Sequence, residues 1–150
     1  MPISAPLAFS LAILAACGPP RDSVTADRPD SLRLHLLAPA TARPGEPVPI
    51  TIRVVNGGDR PLELHLQGRD IVFDVVVKSE AGAVVWRRLE GAFVQGILRL
   101  ETVAPGASFD LHATWIPAAA GTYTIEGVLP TDEPAPLRTP MARLRVTPGG

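Results

Sequence analysis

Three histidines, one cysteine and a scatter of carboxylates are the side chains of this 150-residue chain from which chemistry could be built. A zinc site needs imidazoles or thiolates preorganised by close spacing, as in His-x-His or His-x-x-x-His. His35, His65 and His112 have no such neighbour, and each falls on the polar face of an alternating segment, so no metal is expected. Asp59, Asp70 and Asp74 stand near turns or strand ends without the spaced oxygen ligands of a calcium loop, and read as solvated charges. No Gly-x-Ser-x-Gly elbow offers a nucleophile, and no glycine-rich stretch joins a strand to a helix for a nucleotide. The chain therefore reads as non-catalytic and without a cofactor. Its formal net charge of -1, with both signs interspersed, gives no basic stripe to displace counterions from nucleic acid.

The only thiol, Cys17, has a context of its own. From Leu7 to Ala16 the chain is apolar and uncharged, a length suited to a signal segment and too short to cross a bilayer as a helix. It ends in Leu14-Ala15-Ala16-Cys17-Gly18, which resembles the lipobox of bacterial lipoproteins. Small residues there let a signal peptidase approach the peptide bond, and the thiol is the nucleophile that takes up diacylglycerol. On this reading residues 1–16 are the signal peptide and Cys17 is the lipidation site. Residues 17–30, polar and proline-containing with no apolar period, form a flexible tether. Two or three acyl chains, at ~0.8 kcal/mol per buried methylene, make such an anchor effectively permanent. The expected location is the bacterial cell envelope, lipid-anchored to a membrane and facing the periplasm or the exterior. With its one cysteine acylated, the mature chain has no intramolecular disulfide, and packing alone must hold the fold.

A composition of 46% hydrophobic and 19% charged residues supplies enough apolar material for one core. Beyond the tether, apolar and polar residues alternate at period two, the signature of strands with one buried face. Leu32, Leu34 and Leu36 alternate with Arg33 and His35, and Ile50, Ile52 and Val54 with Thr51 and Arg53. Leu62, Leu64 and Leu66 alternate with Glu63 and His65, and Phe109, Leu111, Ala113 and Trp115 with Asp110, His112 and Thr114. Further strands are expected over 71–78, 84–89, 97–103, 122–129 and 142–147. Turn chemistry separates most of them, at Pro44-Gly45, Asn56-Gly57-Gly58-Asp59, Glu80-Ala81-Gly82 and Pro105-Gly106. Many short strands without intervening helices predict an all-β, immunoglobulin-like antiparallel β-sandwich over 31–147, with 148–150 as a C-terminal tail. Gly121-Thr122-Tyr123-Thr124-Ile125 resembles a tyrosine corner, with Ile125 where antibody domains place a cysteine. Trp86 or Trp115 is the candidate for the tryptophan between the sheets.

With strands and turns placed, the run from about Leu32 to Leu129 resembles the BsuPI-type intracellular proteinase inhibitor family. The residues that carry this are Val54-Val55-Asn56-Gly57-Gly58-Asp59-Arg60-Pro61-Leu62, Phe73-Asp74-Val75-Val76-Val77, Gly82 before Val85-Trp86, and Phe93 with Gln95. Leu100, Ala104-Pro105-Gly106, Trp115, Ala120-Gly121-Thr122-Tyr123 and Gly127-Val128-Leu129 follow in order. These residues set turns and fill a core, so the resemblance implies a shared sandwich more than a shared target. The family's known member blocks a subtilisin-like serine protease inside the cell, whereas Cys17 directs this domain outward.

An inhibitor of that kind needs a rigid exposed loop that enters a protease cleft as a substrate would. The proline-stiffened segment 130–140 qualifies, with Pro130, Pro134 and Pro136 as its frame and Leu137 or Arg138 to seat in a specificity pocket. Segment 89–96 is the second candidate, with Gly91, Phe93 and Gln95, although Phe93 could instead fill the core. The favoured reading is a membrane-anchored, non-catalytic protein-binding module in the envelope. The alternative is a loop-mediated inhibitor of an envelope or secreted subtilisin-like serine protease. The expected partner is thus a protein, with a serine protease as one case.

Overall fold

The structure, a computed structural model, describes residues 31–68, 70–93, 96–131 and 134–148. Cys17 and the signal and tether residues 1–30 lie outside the described residues, as does Gln95. One sheet is formed by β1 (Leu32–Leu37), β3 (Val48–Asn56) and β8 (Ser108–Trp115), in the order β1-β3-β8. The second has the order β2-β11-β9-β5-β6, from β2 (Thr41–Ala42), β11 (Ala142–Val146), β9 (Gly121–Leu129), β5 (Asp74–Ser79) and β6 (Val84–Arg87). The short β10 (Leu137–Arg138) adds to β9, and β4 (Leu62–Gln67) pairs with β7 (Leu98–Val103) as a separate ribbon. Every pairing is antiparallel except β2 with β11, which is parallel.

The period-two pattern explains the core. Val48, Ile50, Ile52 and Val54 of β3 and Leu111 and Trp115 of β8 are buried against Val75, Val77, Ile125, Leu129, Leu144 and Val146 of the opposite sheet. Trp115 is the tryptophan between the sheets; its ring meets Tyr123 edge-on at 5.0 Å between centroids, while Trp86 is only half-buried on β6. The Tyr123 hydroxyl donates to the carbonyl of Ala119 at 2.9 Å, which completes the expected tyrosine corner. At Gly127 the sheets come so close that a Cβ would stand 2.5 Å from Ile52 Cδ1 and 2.9 Å from Thr139 Cγ2.

The Asn56-Gly57-Gly58-Asp59 segment separates β3 from β4 as expected, but it does not fold them into a hairpin: β3 pairs with β8 and β4 with β7, and neither glycine has a positive φ. It is a joint at which the β3–β8 ladder bends and continues as the β4–β7 ribbon. Asn56, fully buried, locks the bend. Its Nδ2 donates to Arg60 O at 2.7 Å and Val103 O at 2.9 Å, and its Oδ1 accepts from Gly58 N at 2.9 Å. One sequence expectation is corrected: residues 71–73, expected as the start of a strand, are a connection, and β5 begins at Asp74. The Val72 N–H donates back to Gln67 O, which closes a turn where a ladder bond would have formed.

Pairing and packing place the poles of the sandwich. Val48 pairs with Trp115, which stacks on Tyr123, so β3 and β9 start at one end. Gly127 faces Ile52, so both strands run toward the other end. At that second end stand Asn56, Leu129, and Asp74, which pairs with Val128. The β4–β7 ribbon crosses this end, held at Asn56 on one side and by a Leu66–Thr131 bridge on the other, with Leu64 and Leu66 closing the core beneath it.

Candidate functional site

Both candidate loops leave from this ribbon-capped end. Pro130 and Thr131 continue from the end of β9, and residues 88–93 leave β6, whose last residue, Arg87, pairs with Val76 of β5. The distal end of the ribbon meets the second segment, since Gly68 N donates to Ile97 O at 2.7 Å. Two loops far apart in sequence therefore border one surface.

The 130–140 segment is tied down along most of its second half. Leu137 and Arg138 pair with Leu129 and Val128 as β10. Leu137 packs on the core, and Arg138 bonds Glu126 at 3.0 Å. Buried Thr139 donates its N–H to Gly127 O at 3.0 Å and accepts from Gly127 N through its hydroxyl at 2.9 Å. Pro130 is half-buried, and the exposed part is Pro134 to Pro136. Of the two residues expected to seat in a partner's pocket, Leu137 is thus packed on the core, whereas Arg138 stays exposed and is held by Glu126.

Residues 88–93 have the opposite character, with a fixed base and an exposed apolar residue at Phe93. Its base is organised by Asp74, which the sequence reading took as a solvated charge; the structure buries it at 3% exposure. It stands at the start of β5 beside Arg87 of β6 and Leu89 after it, and its carboxylate finds its partners there and on its own backbone neighbour. Oδ1 accepts from Val75 N at 2.9 Å and Leu89 N at 3.1 Å, and Oδ2 accepts from Nε and Nη2 of Arg87. Arg88 lies over the Phe73 ring at 3.8 Å from its centroid and donates to Phe73 O at 2.7 Å. Two tight turns follow, Glu90 N to Arg87 O and Ala92 N to Leu89 O, and the second requires the left-handed φ of +71° at Gly91. Phe93 then stands 90% exposed, although it was also weighed as a core residue. Ile97 and the outward leucines of β7, Leu98 and Leu100, are exposed on the same stretch of chain. On β7 both sets are open to solvent over 98–100: Arg99, paired with Glu101 at 3.0 Å, stands between two exposed leucines.

The polar residues considered for chemistry are elsewhere. His35 and His112 flank β3 on the solvent face of its sheet, opposite Arg53 and Thr51, whereas His65 belongs to the ribbon. Thr51 Oγ1 and His112 Nδ1 are 3.1 Å apart, and Arg53 makes a two-pronged bond to Asp110 with both distances 2.8 Å. The hydrogen bonds from Arg53 lower the Asp110 pKa; desolvation opposes them, and the charges of Arg53 and His112 add to the lowering. The same contacts raise the pKa of Arg53. Among the described residues no three His, Cys, Asp or Glu side chains come together as metal ligands.

A β1-β3-β8 sheet packed on β11-β9-β5-β6, with a tyrosine corner on β9, defines an immunoglobulin-like β-sandwich. Residues 36–134 match the family described as BsuPI, intracellular proteinase inhibitor, and the chain belongs to that family. No curated protein sequence matches the chain. Among solved structures, the CARDB domain of PF1109 from Pyrococcus furiosus is similar at 14% identity and a TM-score of 0.47, over 77% of this chain and 94% of that domain. The PapD-like domain 7 of human CEP192 is similar at 15% identity and a TM-score of 0.38, over 97% of this chain and all (100%) of that one. The alkylpurine DNA glycosylase AlkC of Pseudomonas fluorescens is similar at 12% identity and a TM-score of 0.45, over 77% of this chain and 30% of the glycosylase.

Proposed function

We propose that this protein is a membrane-anchored, non-catalytic protein-binding module of the cell envelope, held by a lipid on Cys17, with its contact surface at the ribbon-capped end. The observation that carries the binding surface is Phe93. A phenylalanine exposed at 90% on a loop whose base is fixed by a buried carboxylate supports a role as an anchor for a partner's pocket. Aromatic anchors surrounded by less critical contacts concentrate the energy of protein interfaces. The Pro134 to Pro136 tip supplies a second, stiffer border to the same surface.

The fixed base and the family favour one specific form of this reading, inhibition of an envelope or secreted subtilisin-like serine protease. Phe93 would then occupy the specificity pocket, with the Asp74 bonds holding the loop in one conformation so that little ordering entropy opposes binding. The test is capture from native envelope extract with residues 27–150, using wild type and Phe93→Ala in parallel, followed by titration of any captured protease with a chromogenic peptide. Capture that Phe93→Ala abolishes supports the module. Stoichiometric loss of protease activity supports the inhibitor. Equal capture by the two proteins rules out the Phe93 surface. Mass spectrometry of the detergent-extracted full chain tests the anchor, with a diacylated Cys17 at the mature N-terminus as the expected result.

A further inference from the structure

We infer that the β4–β7 ribbon joins the ribbon of a second copy of this chain, β7 against β7, in a two-fold dimer; the inference stands independently of the Phe93 surface. β7 ends its two-stranded sheet, and among the described residues no strand lies along its other side. The bond from Gly68 N to Ile97 O fixes the phase of the ladder, because bonded pairs alternate along antiparallel strands. Arg99 and Glu101 therefore direct their backbone groups at β4, while Leu98, Leu100 and Thr102 direct theirs at the open edge. Leu98 and Leu100 are also 63% and 55% exposed. An unbroken apolar edge is a template for another strand, and a two-stranded ribbon gains stability from a third and a fourth.

The sequence of β7 selects a second copy as the occupant. Antiparallel pairing about a two-fold axis at Leu100 sets the two Leu100 residues opposite each other and Leu98 opposite Thr102 of the second copy. It also sets Arg99 opposite Glu101 of the second copy, and Glu101 opposite the second copy's Arg99. Opposite charges directly across two strands stabilise their pairing, and like charges oppose it. The next in-phase registers to either side set Arg99 against Arg99 or Glu101 against Glu101, so charge fixes the register along with the partner. The other open edges lack this complementarity. β1 has only Arg33 and His35 as its ionisable side chains, and β6 is four residues beside a register shift. β8 turns polar side chains outward, with Asp110 already held by Arg53.

Residues 98–102 alone are paired in this arrangement, so the contact is small, the dimer exchanges readily, and the test uses covalent capture. Two differently tagged copies of the full chain are expressed together with photoreactive benzoylphenylalanine in place of Thr102, which faces Leu98 of the second copy, or of Ile116 on the far end. The expected result is an adduct joining the two tags from position 102 and none from position 116. Arg99→Glu in both copies, or Glu101→Arg in both, should cut that yield roughly fivefold. Arg99→Glu in one copy with Glu101→Arg in the other should return it to within about twofold of wild type. The bond between Arg99 and Glu101 within each chain is lost in both members of the mixed pair, so that recovery can come only from contacts between copies. No adduct joining the tags from position 102, an equal yield from position 116, an undiminished yield in the single variants, or no recovery in the mixed pair would overturn the inference.

Discussion

Replacing Asn56 by Ala strips Arg60 O and Val103 O of their donors and Gly58 N of its acceptor, all at a buried bend. Leaving such groups unsatisfied costs ~1–3 kcal/mol each, moderated by water that reaches the half-exposed members. Asn56→Ala is expected to destabilise the domain by about 2–4 kcal/mol in urea unfolding, with the β4–β7 ribbon loosened first in hydrogen exchange. Asp74→Asn keeps the shape but turns an amide N–H toward the Arg87 guanidinium, donor against donor. Breaking a buried ion pair from one side costs about 3–5 kcal/mol, less here because Arg87 is half-exposed. Chymotrypsin should then cut after Phe93 faster than in the wild type under conditions where both are folded. On the opposite face, the bond from Arg53 holds the Asp110 carboxyl below the usual aspartate range. A carboxylate with a lowered folded pKa contributes stability above its unfolded pKa and loses it as pH falls through the folded value. The Asp110 carboxyl carbon should therefore titrate by NMR below an ordinary aspartate, and Arg53→Ala should move it up toward the ordinary range, with little effect on stability because the pair is exposed.

At the scale of elements, close approach of two strands makes its own prediction. Gly127→Ala drives a methyl group into Ile52 and Thr139 and should destabilise by ~1–3 kcal/mol, and Ile52→Val, which removes Cδ1, should recover part of the loss in the double variant. Strands such as β1, β3, β8 and β9 were legible in sequence because their alternation faces one hydrophobic core. The joint at Asn56 was not, since Asn-Gly-Gly-Asp carries the residue types of a turn, and only the pairing of β3 with β8 shows that the chain does not reverse there. The two-residue strands β2 and β10 are too short for any period to register. The site was half legible. Both loops were found from glycine and proline content, but their shared end depends on strand order, and the burial of Asp74 depends on Arg87 and Leu89, which only the β5–β6 pairing brings to it. On β7 an alternation of leucines with Arg99 and Glu101 predicts one buried face, whereas on this two-stranded ribbon the leucines are exposed as well as the ion pair.

For the whole molecule, one end gathers the chain's point of entry, the two candidate loops and the exposed apolar residues of β7, and the other end is closed by the tyrosine corner. The division separates what holds the fold from what is offered to a partner, as expected when function resides in loops placed by a rigid scaffold. Phe93 is the point where the two should come apart experimentally. Its side chain contributes little to the core, so Phe93→Ala should leave the unfolding free energy within about 0.5 kcal/mol of wild type. The most direct measurement is the affinity of the captured envelope partner for wild type, for Phe93→Ala and for Ile116→Ala, which removes an exposed apolar side chain at the far end. A loss of at least about tenfold with Phe93→Ala and none with Ile116→Ala is the predicted result. An unchanged affinity with Phe93→Ala, or a loss confined to Ile116→Ala, would contradict a binding surface at the ribbon-capped end.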